Sequence, residues 1–423
     1  MIGLIYAGVI SFLLISGMFL DAHGWPYSLV GSPIPVKIHP GSYFIFTAFL
    51  LLLLEDNPVL VLYRLARARP AHIAYLVTTV GLIAYVILRF GPNGSSFLID
   101  LHLVPVILAL LLSRLPTATV ARLFIVAILC VTLNGALGIA EYLLQARLTP
   151  FLVDGKPVPE AYFRSTALLG HPLQNALITA VTLLMLPVMR DRNLLYWGCG
   201  SILAVSLVAF GGRSALAAVL VVTAFSLPFW GMRVLLRRDY SYRQLVGATL
   251  AGTSVLGAAG VMIALFGGGT RVFSSIHWDD SANTRIIGLR ILDMVSPLDM
   301  IFGIGQQGII ERSQVLASYY GIIGLENSWL LLLLIFGAIG LMFFIVALLA
   351  WFGEMLAGAP IPAYLGVLGY LIIASTNNTL AAKDSSLIHL VTLVYGARAY
   401  WIWTARRNRG PEPAQGRFAA SAH

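Results

Sequence analysis

The sequence has few cysteines and few charged residues. Only two of its 423 residues are cysteine, Cys130 and Cys199, and each lies inside an apolar run. These two residues supply neither a disulfide framework nor a cysteine-based metal site. Charged residues make up 11% of the chain, against about a quarter in soluble domains, while 59% of the residues are hydrophobic. The composition therefore excludes a soluble globule, a disordered chain and a coiled coil, and it predicts a membrane protein.

Motifs that bind phosphate, metal or nucleic acid are also missing. The chain has no G-x-x-x-x-G-K-[ST] or G-x-G-x-x-G loop, no H-E-x-x-H motif and no zinc-ligand spacing. Asp279 and Asp280 could hold a divalent cation, but two adjacent acids in a loop are more often solvated, so we expect no metal and no cofactor. The net charge of +9 comes from basic residues spread between apolar runs, which indicates membrane topology and no nucleic-acid partner.

Long apolar runs dominate the sequence instead. A membrane helix needs about 20 mainly apolar residues. Counting such runs predicts an all-α, polytopic integral membrane protein with twelve transmembrane helices. Their approximate spans are 3–20, 42–63, 71–88, 97–113, 123–144, 167–189, 194–210, 214–232, 245–266, 326–350, 362–378 and 385–403.

The arginine-rich short loops predict the orientation of these helices. If the N-terminus is cytoplasmic, every such loop, including the one with Arg64, Arg67 and Arg69, falls on the cytoplasmic side. We therefore expect both termini in the cytoplasm. The predicted organisation is transmembrane helices over 1–266, an extracytoplasmic loop over 267–325, further transmembrane helices over 326–403 and a disordered tail over 404–423.

The loop over 267–325 is unusually long. Loops of this length inside a compact protein are usually functional or carry structure of their own. Within it, the segment from Asn283 to Val295 predicts a short amphipathic helix that Asn283 caps. This helix either rests on the bilayer surface as a cover or forms a lid that holds Arg285 and Arg290 over a site.

Most ionisable residues near the predicted helices fall at their extracytoplasmic ends. They are Asp100, His102, Glu141, Arg164, His171, Arg213 and Glu326, whereas Glu55 and Asp56 lie in the inner part of the second span. Ionisable groups are expensive to bury in a membrane and are functional candidates. A transporter would place polar groups at the midplane near broken helices, whereas an enzyme acting on a lipid-carried substrate would collect them at one end. The distribution favours the enzyme, although a helix end is also where a polar residue costs least.

Two short segments carry candidate anion-binding and sugar-binding groups. Arg213, in the sequence G-G-R-S, lies beside a predicted helix N-terminus and suits a phosphate or pyrophosphate, or it snorkels to the interface. His171 and Asn175, in the sequence G-H-P-L-Q-N, share a helix face, and Pro172 predicts that the helix begins there. These two side chains either cross-link neighbouring helices or orient sugar hydroxyls.

Glu326 and Asn327 precede an apolar run that contains spaced glycines. A carboxylate in the first turn of a helix is stabilised by the helix dipole, which is a sufficient structural explanation. If Glu326 is also screened from water, it is suited to remove a proton from a sugar hydroxyl near neutral pH. The sequence leaves both roles open.

These features together resemble the bacterial O-antigen ligase and polysaccharide polymerase superfamily, integral-membrane glycosyltransferases that use undecaprenyl-pyrophosphate-linked sugars. The resemblance covers about twelve spans, the long late loop and four short patterns in a fixed order. The patterns are Arg164 leading into Gly170-His171-Pro172 and Asn175; Gly212-Arg213-Ser214; Thr284-Arg285 with Gly288 and Leu289; and Glu326-Asn327.

The resemblance implies a role for each candidate residue. Arg213 and Arg285 would bind the pyrophosphate of the lipid donor, and Glu326 would be the base that activates the acceptor hydroxyl. The residues that would orient the substrates are Arg164, His171, Asn175, Arg290 and Asn327. The implied partners are an undecaprenyl-pyrophosphate-linked oligosaccharide, a glycan acceptor, membrane lipid, and the chain-length regulator and flippase of the same pathway. The site would face the periplasm from the bacterial inner membrane.

One position departs from the lipid A-core ligases of this superfamily. Those enzymes resemble one another in having histidine followed by asparagine where this chain has Glu326 followed by Asn327. The departure favours a polymerase of exopolysaccharide or O-antigen repeat units, working by metal-independent inverting transfer. The alternatives are a ligase that transfers the finished glycan to a lipid A-core or other acceptor, a flippase or transporter of the lipid-linked sugar, and a non-catalytic assembly scaffold.

Overall fold

The computed structural model describes residues 1–28, 32–92, 94–153, 156–157, 163–237, 286–321 and 325–408. The predicted ninth span, 245–266, lies outside these residues, as do Arg285, the acid pair Asp279 and Asp280, and the tail from residue 409. The described residues are predominantly helical. Their strands are two residues long, with β1 (Leu152–Val153) pairing antiparallel with β2 (Lys156–Pro157).

The helices follow the apolar runs of the sequence. They are α1 Ile2–Leu14, α2 Gly17–Ala22, α3 Pro40–Leu54, α4 Pro58–Ala68, α5 Pro70–Phe90, α6 Ser96–Leu112, α7 Thr117–Leu144, α8 Pro172–Met185, α9 Asn193–Phe210, α10 Arg213–Arg237, α11 Pro297–Phe302, α12 Gly305–Tyr320, α13 Ser328–Leu356, α14 Ile361–Ser375 and α15 Ser386–Asn408. Short 3₁₀ helices cover Ile34–Lys37, Leu186–Met189 and Leu289–Met294. Several helices begin with proline, whose fixed φ and missing N–H suit the first helical position.

Five helices are long and apolar enough to cross a membrane. They are α5, α7, α8 with its 3₁₀ extension to Met189, α9 and α13, and α3 with α4 would make a sixth if they form one bent span. Helices α1, α6 and α14 are apolar but shorter, as is the part of α10 up to Ser226. The fold is therefore helical and consistent with an integral membrane protein. Twelve full-length spans are not found among the described residues.

The predicted second span, 42–63, is in fact two helices. Glu55, Asp56 and Asn57 separate α3 from α4, whose axes differ by 105°. The sequence prediction missed this bend because these residues form a helix end and a helix cap within an otherwise apolar run. Glu55 and Asp56 are exposed at this bend, and Asp56 forms an ion pair with Arg64 at 2.9 Å.

The centre of the molecule is formed by α6 and α15. Every residue of α6 from Val104 to Leu112 is buried, and α15 is buried along most of its length while it packs along α7 and against α6, α8 and α14. We use the term upper end for the end of the molecule at which α3, α8, α10, α13 and α15 begin. The other end is the lower end.

A hydrogen-bonded cluster joins three helices at the lower end. Oε2 of Glu354 in α13 accepts hydrogen bonds from the backbone N–H of His72 at 3.0 Å and from its Nδ1 at 2.9 Å. The hydroxyl of Tyr395 in α15 lies 2.7 Å from Nε2 of the same ring, so it donates to that nitrogen. Glu354 therefore caps the start of α5 from a neighbouring helix.

The described part of the predicted long loop is mostly helical. The helix predicted from Asn283 to Val295 is replaced, within the described residues, by a helical turn at 286–288 and the tighter 3₁₀ helix Leu289–Met294. Helices α11 and α12 follow and pack against α13, and α12 also contacts α5. The side chain of Tyr85 in α5 donates a hydrogen bond to the carbonyl of Phe302. The loop is thus attached to the helices beside it.

Helix α13 is broken at Gly337, where the loop packs against it. Gly337 has φ +73° and ψ +174°, which is outside the helical region. The N–H of Ile304 donates to the carbonyl of Leu334 at 2.7 Å. The backbone around Gly303 also packs directly against the backbone around Gly337. The loop segment therefore satisfies a carbonyl that the break exposes, which is the condition for irregular backbone inside a membrane protein.

Candidate functional site

The G-H-P segment forms the start of α8 at the upper end. Pro172 is the first residue of the helix, as predicted, and Nδ1 of His171 accepts a hydrogen bond from the N–H of Leu173 at 3.2 Å. Gly170 precedes them with φ +72°, and it packs closely on the side chains of Ser16 and Met18. His171 is therefore the cap of α8, and the residue before it packs against the start of α2.

Glu141 and Asn175 hold the backbone that leads into α8. Oε2 of Glu141 accepts hydrogen bonds from the N–H groups of Thr166 and Ala167, both at 2.8 Å. Asn175 donates to the carbonyl of Thr166 at 2.6 Å and accepts from Asn134 of α7 at 2.7 Å. Asn175 is fully buried. Of the two predicted roles for Asn175, these contacts support the structural one, cross-linking α7 to α8.

Arg164 and Arg213 flank the same part of α8. Gly211 ends α9 with φ +64°, and the aliphatic stem of Arg164 packs against it. Gly212 packs against Ala176 of α8, so close that a side chain at 212 would overlap Ala176. Arg213 is partly buried and is the first residue of α10. The two glycines thus bring both arginines to the first turns of α8.

Arg164 also lies, together with Arg147, beside the ring of Phe151 at this end. The guanidinium carbons of Arg147 and Arg164 lie 5.8 Å and 5.9 Å from the centroid of the Phe151 ring. Nε of Arg147 also donates to the carbonyl of Arg164 at 3.2 Å. The edge of the His171 ring contacts the same phenyl ring, with centroids 5.2 Å apart. The region before α8 is therefore rich in positive charge, which suits an anionic ligand.

Glu326 lies outside α13, contrary to the first-turn position considered above. The helix begins at Ser328, and the side chain of Asn327 caps it by accepting from the N–H groups of Trp329 and Leu330 at 3.0 and 3.1 Å. Glu326 therefore lies just before the cap residue of α13, near the positive end of the helix, and it is partly buried. Asn327 has a structural task of its own, which accounts for its position without a substrate.

The loop 376–385 connects the start of α13 with α8. The hydroxyl of Ser328 donates to the carbonyl of Asn377 at 2.8 Å and accepts from the N–H of Leu380 at 3.0 Å. At its other end, the loop reaches α8, where Gln174 donates to the hydroxyl of Ser385 at 2.9 Å. The first turns of α8 are therefore in contact both with the Arg213 turn and with the loop that anchors the residues following Glu326.

Of the two predicted lid arginines, only Arg290 lies within the described residues. Arg290 is exposed on the 3₁₀ helix, with its guanidinium carbon 6.0 Å from the centroid of the Tyr320 ring, and the described contacts do not bring it to α8. Gly288 packs near the side chain of Leu325, so the turn at 286–288 lies beside the segment that carries Glu326. Arg285, which directly precedes this turn, lies outside the described residues.

A buried carboxylate network also lies at the upper end. Asp100, in a short π-helical stretch of α6, accepts hydrogen bonds from the hydroxyls of Tyr27 at 2.8 Å and Ser42 at 2.7 Å. The N–H of His39 donates to the same carboxylate at 3.1 Å. His102, two residues further along, lies between the hydroxyl of Tyr75 and the carbonyl of Leu380. These partners satisfy the buried polar groups, as burial requires.

Lys383 and Asp384 are site residues that sequence reasoning missed. Nζ of Lys383 donates to the carbonyl of Tyr27 at 2.7 Å and lies 3.3 Å from the centroid of its ring. Asp384 accepts from the hydroxyl of Ser386 at 2.7 Å. The signal was the adjacent acid and base between two apolar runs.

These residues line a small polar cavity of about 20 Å³, which has room for about one water molecule. Its polar lining comes from Ser16, Tyr27, His39, Gln174, Lys383, Asp384 and Ser385. Nδ1 of His39 accepts from the N–H of Gly41 at 3.0 Å and its Nε2 lies 2.9 Å from the carbonyl of Ile15, so Nε2 carries the proton. The cavity is too small for a sugar.

Burial shifts the protonation of the groups around this cavity. It raises the pKa of Asp384 to about 7, against the opposing hydrogen bonds from Ser386. It lowers the pKa of Lys383 to about 8, although the carboxylates of Asp100 and Asp21 oppose this shift. It also lowers the pKa of His39 to about 4. Near neutral pH the cavity therefore holds a neutral imidazole and a carboxyl group that can exchange a proton.

Asp384→Asn is expected to remove a pH-dependent loss of stability. Because the folded-state pKa of Asp384 lies above the unfolded value, the folded state loses stability as pH rises from about 4 to about 7. We expect the purified variant to gain about 1–3 kcal/mol over wild type at pH 7.5 and nearly nothing at pH 4.5. Asparagine can still accept from Ser386.

Thermal unfolding of both proteins at several pH values below 8 measures this difference, since subtracting the two curves cancels the opposite contribution of His39. A difference between the two proteins that does not change with pH would contradict the raised pKa of Asp384.

The arrangement at the upper end can bind an anion with several arginines and can exchange a proton through carboxylates nearby. The described contacts bring Arg164, Arg213 and His171 to one turn of α8, and they attach the segment following Glu326 to a loop that contacts the same helix. No family model matches the chain, and a search of the curated proteins and of the solved structures likewise gives no significant match.

Proposed function

We propose that the protein is a polysaccharide polymerase that joins undecaprenyl-pyrophosphate-linked oligosaccharide units at the periplasmic face of the bacterial inner membrane. The observation that carries this proposal is the meeting of two elements at the first turns of α8. The Arg213 turn packs against Ala176, and the loop that anchors the start of α13 is hydrogen-bonded to Gln174. The turn that we propose to bind the donor phosphate and the segment that follows the proposed base are thus both attached to α8.

The reaction we propose is an inverting glycosyl transfer. The Glu326 carboxylate takes the proton of the acceptor hydroxyl, and the hydroxyl oxygen attacks the anomeric carbon of the donor sugar. The bond from that carbon to the pyrophosphate oxygen breaks, and undecaprenyl pyrophosphate leaves with its negative charge stabilised by Arg213 and Arg285. Fixed positive charges at a developing anion are among the largest contributions to catalysis. The pyrophosphate ester supplies the driving force.

The substrates need more room than the polar cavity beside α8 offers. The polar cavity beside α8 is large enough for about one water molecule. The 286–288 turn packs against Leu325, next to Glu326, so a shift of this turn would change access to the carboxylate. We therefore propose that the segment 286–321 moves when the sugars bind.

Two assays test the proposal together. In a deletion strain we expect single repeat units on the lipid acceptor, because polymerisation is missing while export and attachment continue. Full-length chains that remain unattached would instead identify a ligase. Purified protein in detergent is expected to lengthen lipid-linked repeat units without any nucleotide, and failure to do so with an intact, monodisperse preparation would overturn the proposal.

A flippase or transporter of the lipid-linked sugar is the second candidate. It is favoured by the break of α13 at Gly337 and by the buried Asp100 and His102 in α6, since transporters use broken helices and buried ionisable groups. Elongation of repeat units in detergent, where no membrane gradient exists, would exclude transport as the only activity. Movement of a labelled lipid across vesicles without elongation would favour it.

A further inference from the structure

The sharp bend after α3 sends α4 out of the direction of a membrane crossing. The two axes differ by 105°, and Asn57 starts the new helix by accepting a hydrogen bond from the N–H of Val59 at 2.9 Å. Helix α4 has 11 residues and is therefore about 16 Å long, half of the roughly 30 Å hydrocarbon thickness. If α3 crosses the bilayer, α4 runs along its surface.

One face of α4 packs against the protein. Val61 and Leu65, which are four residues apart, are buried, and α4 contacts α3 and α5. A neighbouring face is apolar but exposed, with Val59 75% and Tyr63 62% exposed and Leu62 beside them. A contiguous exposed face of large apolar side chains marks a surface that binds a membrane or another protein.

A third face of α4 is basic. Arg64 and Arg67, three residues apart, share this face and are both exposed. Nη1 of Arg64 forms an ion pair with Asp56 at 2.9 Å, in which both side chains are about half exposed. An exposed pair of this kind is weak, and a guanidinium has five N–H donors, so Arg64 can also bind a phosphate.

We propose that α4 is an interfacial helix that binds anionic phospholipid. Its apolar face, with Val59, Leu62 and Tyr63, inserts into the acyl chains, and Arg64 and Arg67 bind lipid phosphates in the headgroup layer. A helix with one apolar face and an adjoining arginine face binds a membrane surface in this way, and negatively charged lipids strengthen the binding. The predicted orientation places α4 at the cytoplasmic leaflet. The inference does not depend on the proposed glycosyl transfer.

The depth of α4 in the membrane is measured with a fluorophore attached to Tyr63→Cys in the full-length protein. The labelled protein is reconstituted into vesicles of phosphatidylcholine with roughly 30% phosphatidylglycerol, which supplies the anionic lipid. The native Cys199 is buried and Cys130 is partly buried, so labelled wild type gives the background. We expect quenching by brominated acyl chains and little quenching by iodide in the water. Strong iodide quenching without bromine quenching would overturn the proposal.

The role of the arginines is measured by counting the lipids that copurify from the same vesicles. We expect phosphatidylglycerol to be enriched on wild type and its enrichment to fall at least about threefold in Arg64→Gln/Arg67→Gln, since one basic residue near an anionic surface contributes roughly fivefold. Arg406→Gln/Arg407→Gln, in the last turn of α15, is the matched control. The proposal would be overturned if phosphatidylglycerol were equally enriched on wild type and on Arg64→Gln/Arg67→Gln. It would also be overturned if residue 63 cross-linked two copies of the protein and showed no quenching by lipid.

Discussion

Replacing Glu326 by glutamine is expected to lower polymer formation about 100-fold or more, the usual contribution of a general base. Glutamine keeps the size of the side chain but cannot accept the proton of the acceptor hydroxyl. The loss should appear in the maximal rate, with donor binding nearly unchanged, because in the proposed reaction the carboxylate acts on the acceptor in the transition state. Rates are measured with purified protein and lipid-linked repeat units, and protein level and monodispersity are recorded for each variant.

Glu311→Gln is the matched control for this experiment. Glu311 is an exposed carboxylate in α12, within the predicted loop 267–325, and it accepts a hydrogen bond from Gln307 at 3.2 Å. Its replacement should leave the rate within about twofold, since isolated surface substitutions change little. Wild-type rates from a well-folded Glu326→Gln variant would refute the base role of Glu326.

Glu326→His and the arginine variants distinguish the base from a structural carboxylate. Histidine can accept a proton, so Glu326→His should recover part of the activity that Glu326→Gln loses. Arg213→Ala and Arg285→Ala should weaken the proposed stabilisation of the leaving pyrophosphate and therefore lower the rate. A high concentration of acceptor should not restore that rate. If Glu326→His is as inactive as Glu326→Gln while both are folded, proton transfer is not the function of this residue.

Replacing Gly337 by alanine is expected to destabilise the protein by about 3 kcal/mol or more. Gly337 has φ +73° and ψ +174°, a combination that is essentially confined to glycine and costs other residues about 1–3 kcal/mol. A methyl group at this position would also overlap the carbonyl of Ile301. Because the Ile304 N–H and the Leu334 carbonyl depend on this close approach, the substitution should also detach α11 from α13.

Gly353→Ala, in the same helix, is the control for Gly337→Ala. Gly353 is exposed, and no atom of another residue lies within 4 Å of the position its methyl group would take. Alanine should be neutral there, or stabilising by about 0.5–1 kcal/mol, because it favours the helix. Thermal unfolding in detergent and protease accessibility of the segment 297–320 measure both effects. Equal stability of the two variants would show that α13 does not need a break at Gly337.

The sequence predicted the long helices well because hydropathy and length decide them. Helices α5, α7, α9 and α13 all follow runs of apolar residues long enough to span a bilayer. The bend between α3 and α4 was missed although its signal is present. Asn57 and Pro58 form a cap followed by a proline at the first helical position, and this local signal was outweighed by the apolar residues on both sides.

The candidate site was harder to predict because its contacts join distant parts of the chain. The sequence indicates that Asp100 and His102 are unusual, but not that Asp100 binds Tyr27 and Ser42, which are 73 and 58 residues away. The family resemblance implied that Asn175 and Asn327 orient the substrates. Their hydrogen bonds within the protein show that an amide at a helix start often serves the backbone.

The central position of α15 constrains the order in which the protein can be completed. This helix contacts α1, α6, α7, α8, α13 and α14, all of which precede it in the chain and are therefore synthesised earlier. Until α15 arrives, those helices face an unfilled space where the buried side chains of Leu387, Val391 and Tyr400 will lie. The bundle must therefore stay open during synthesis and close late, which makes the interval before α15 emerges the time at which misassembly is most probable.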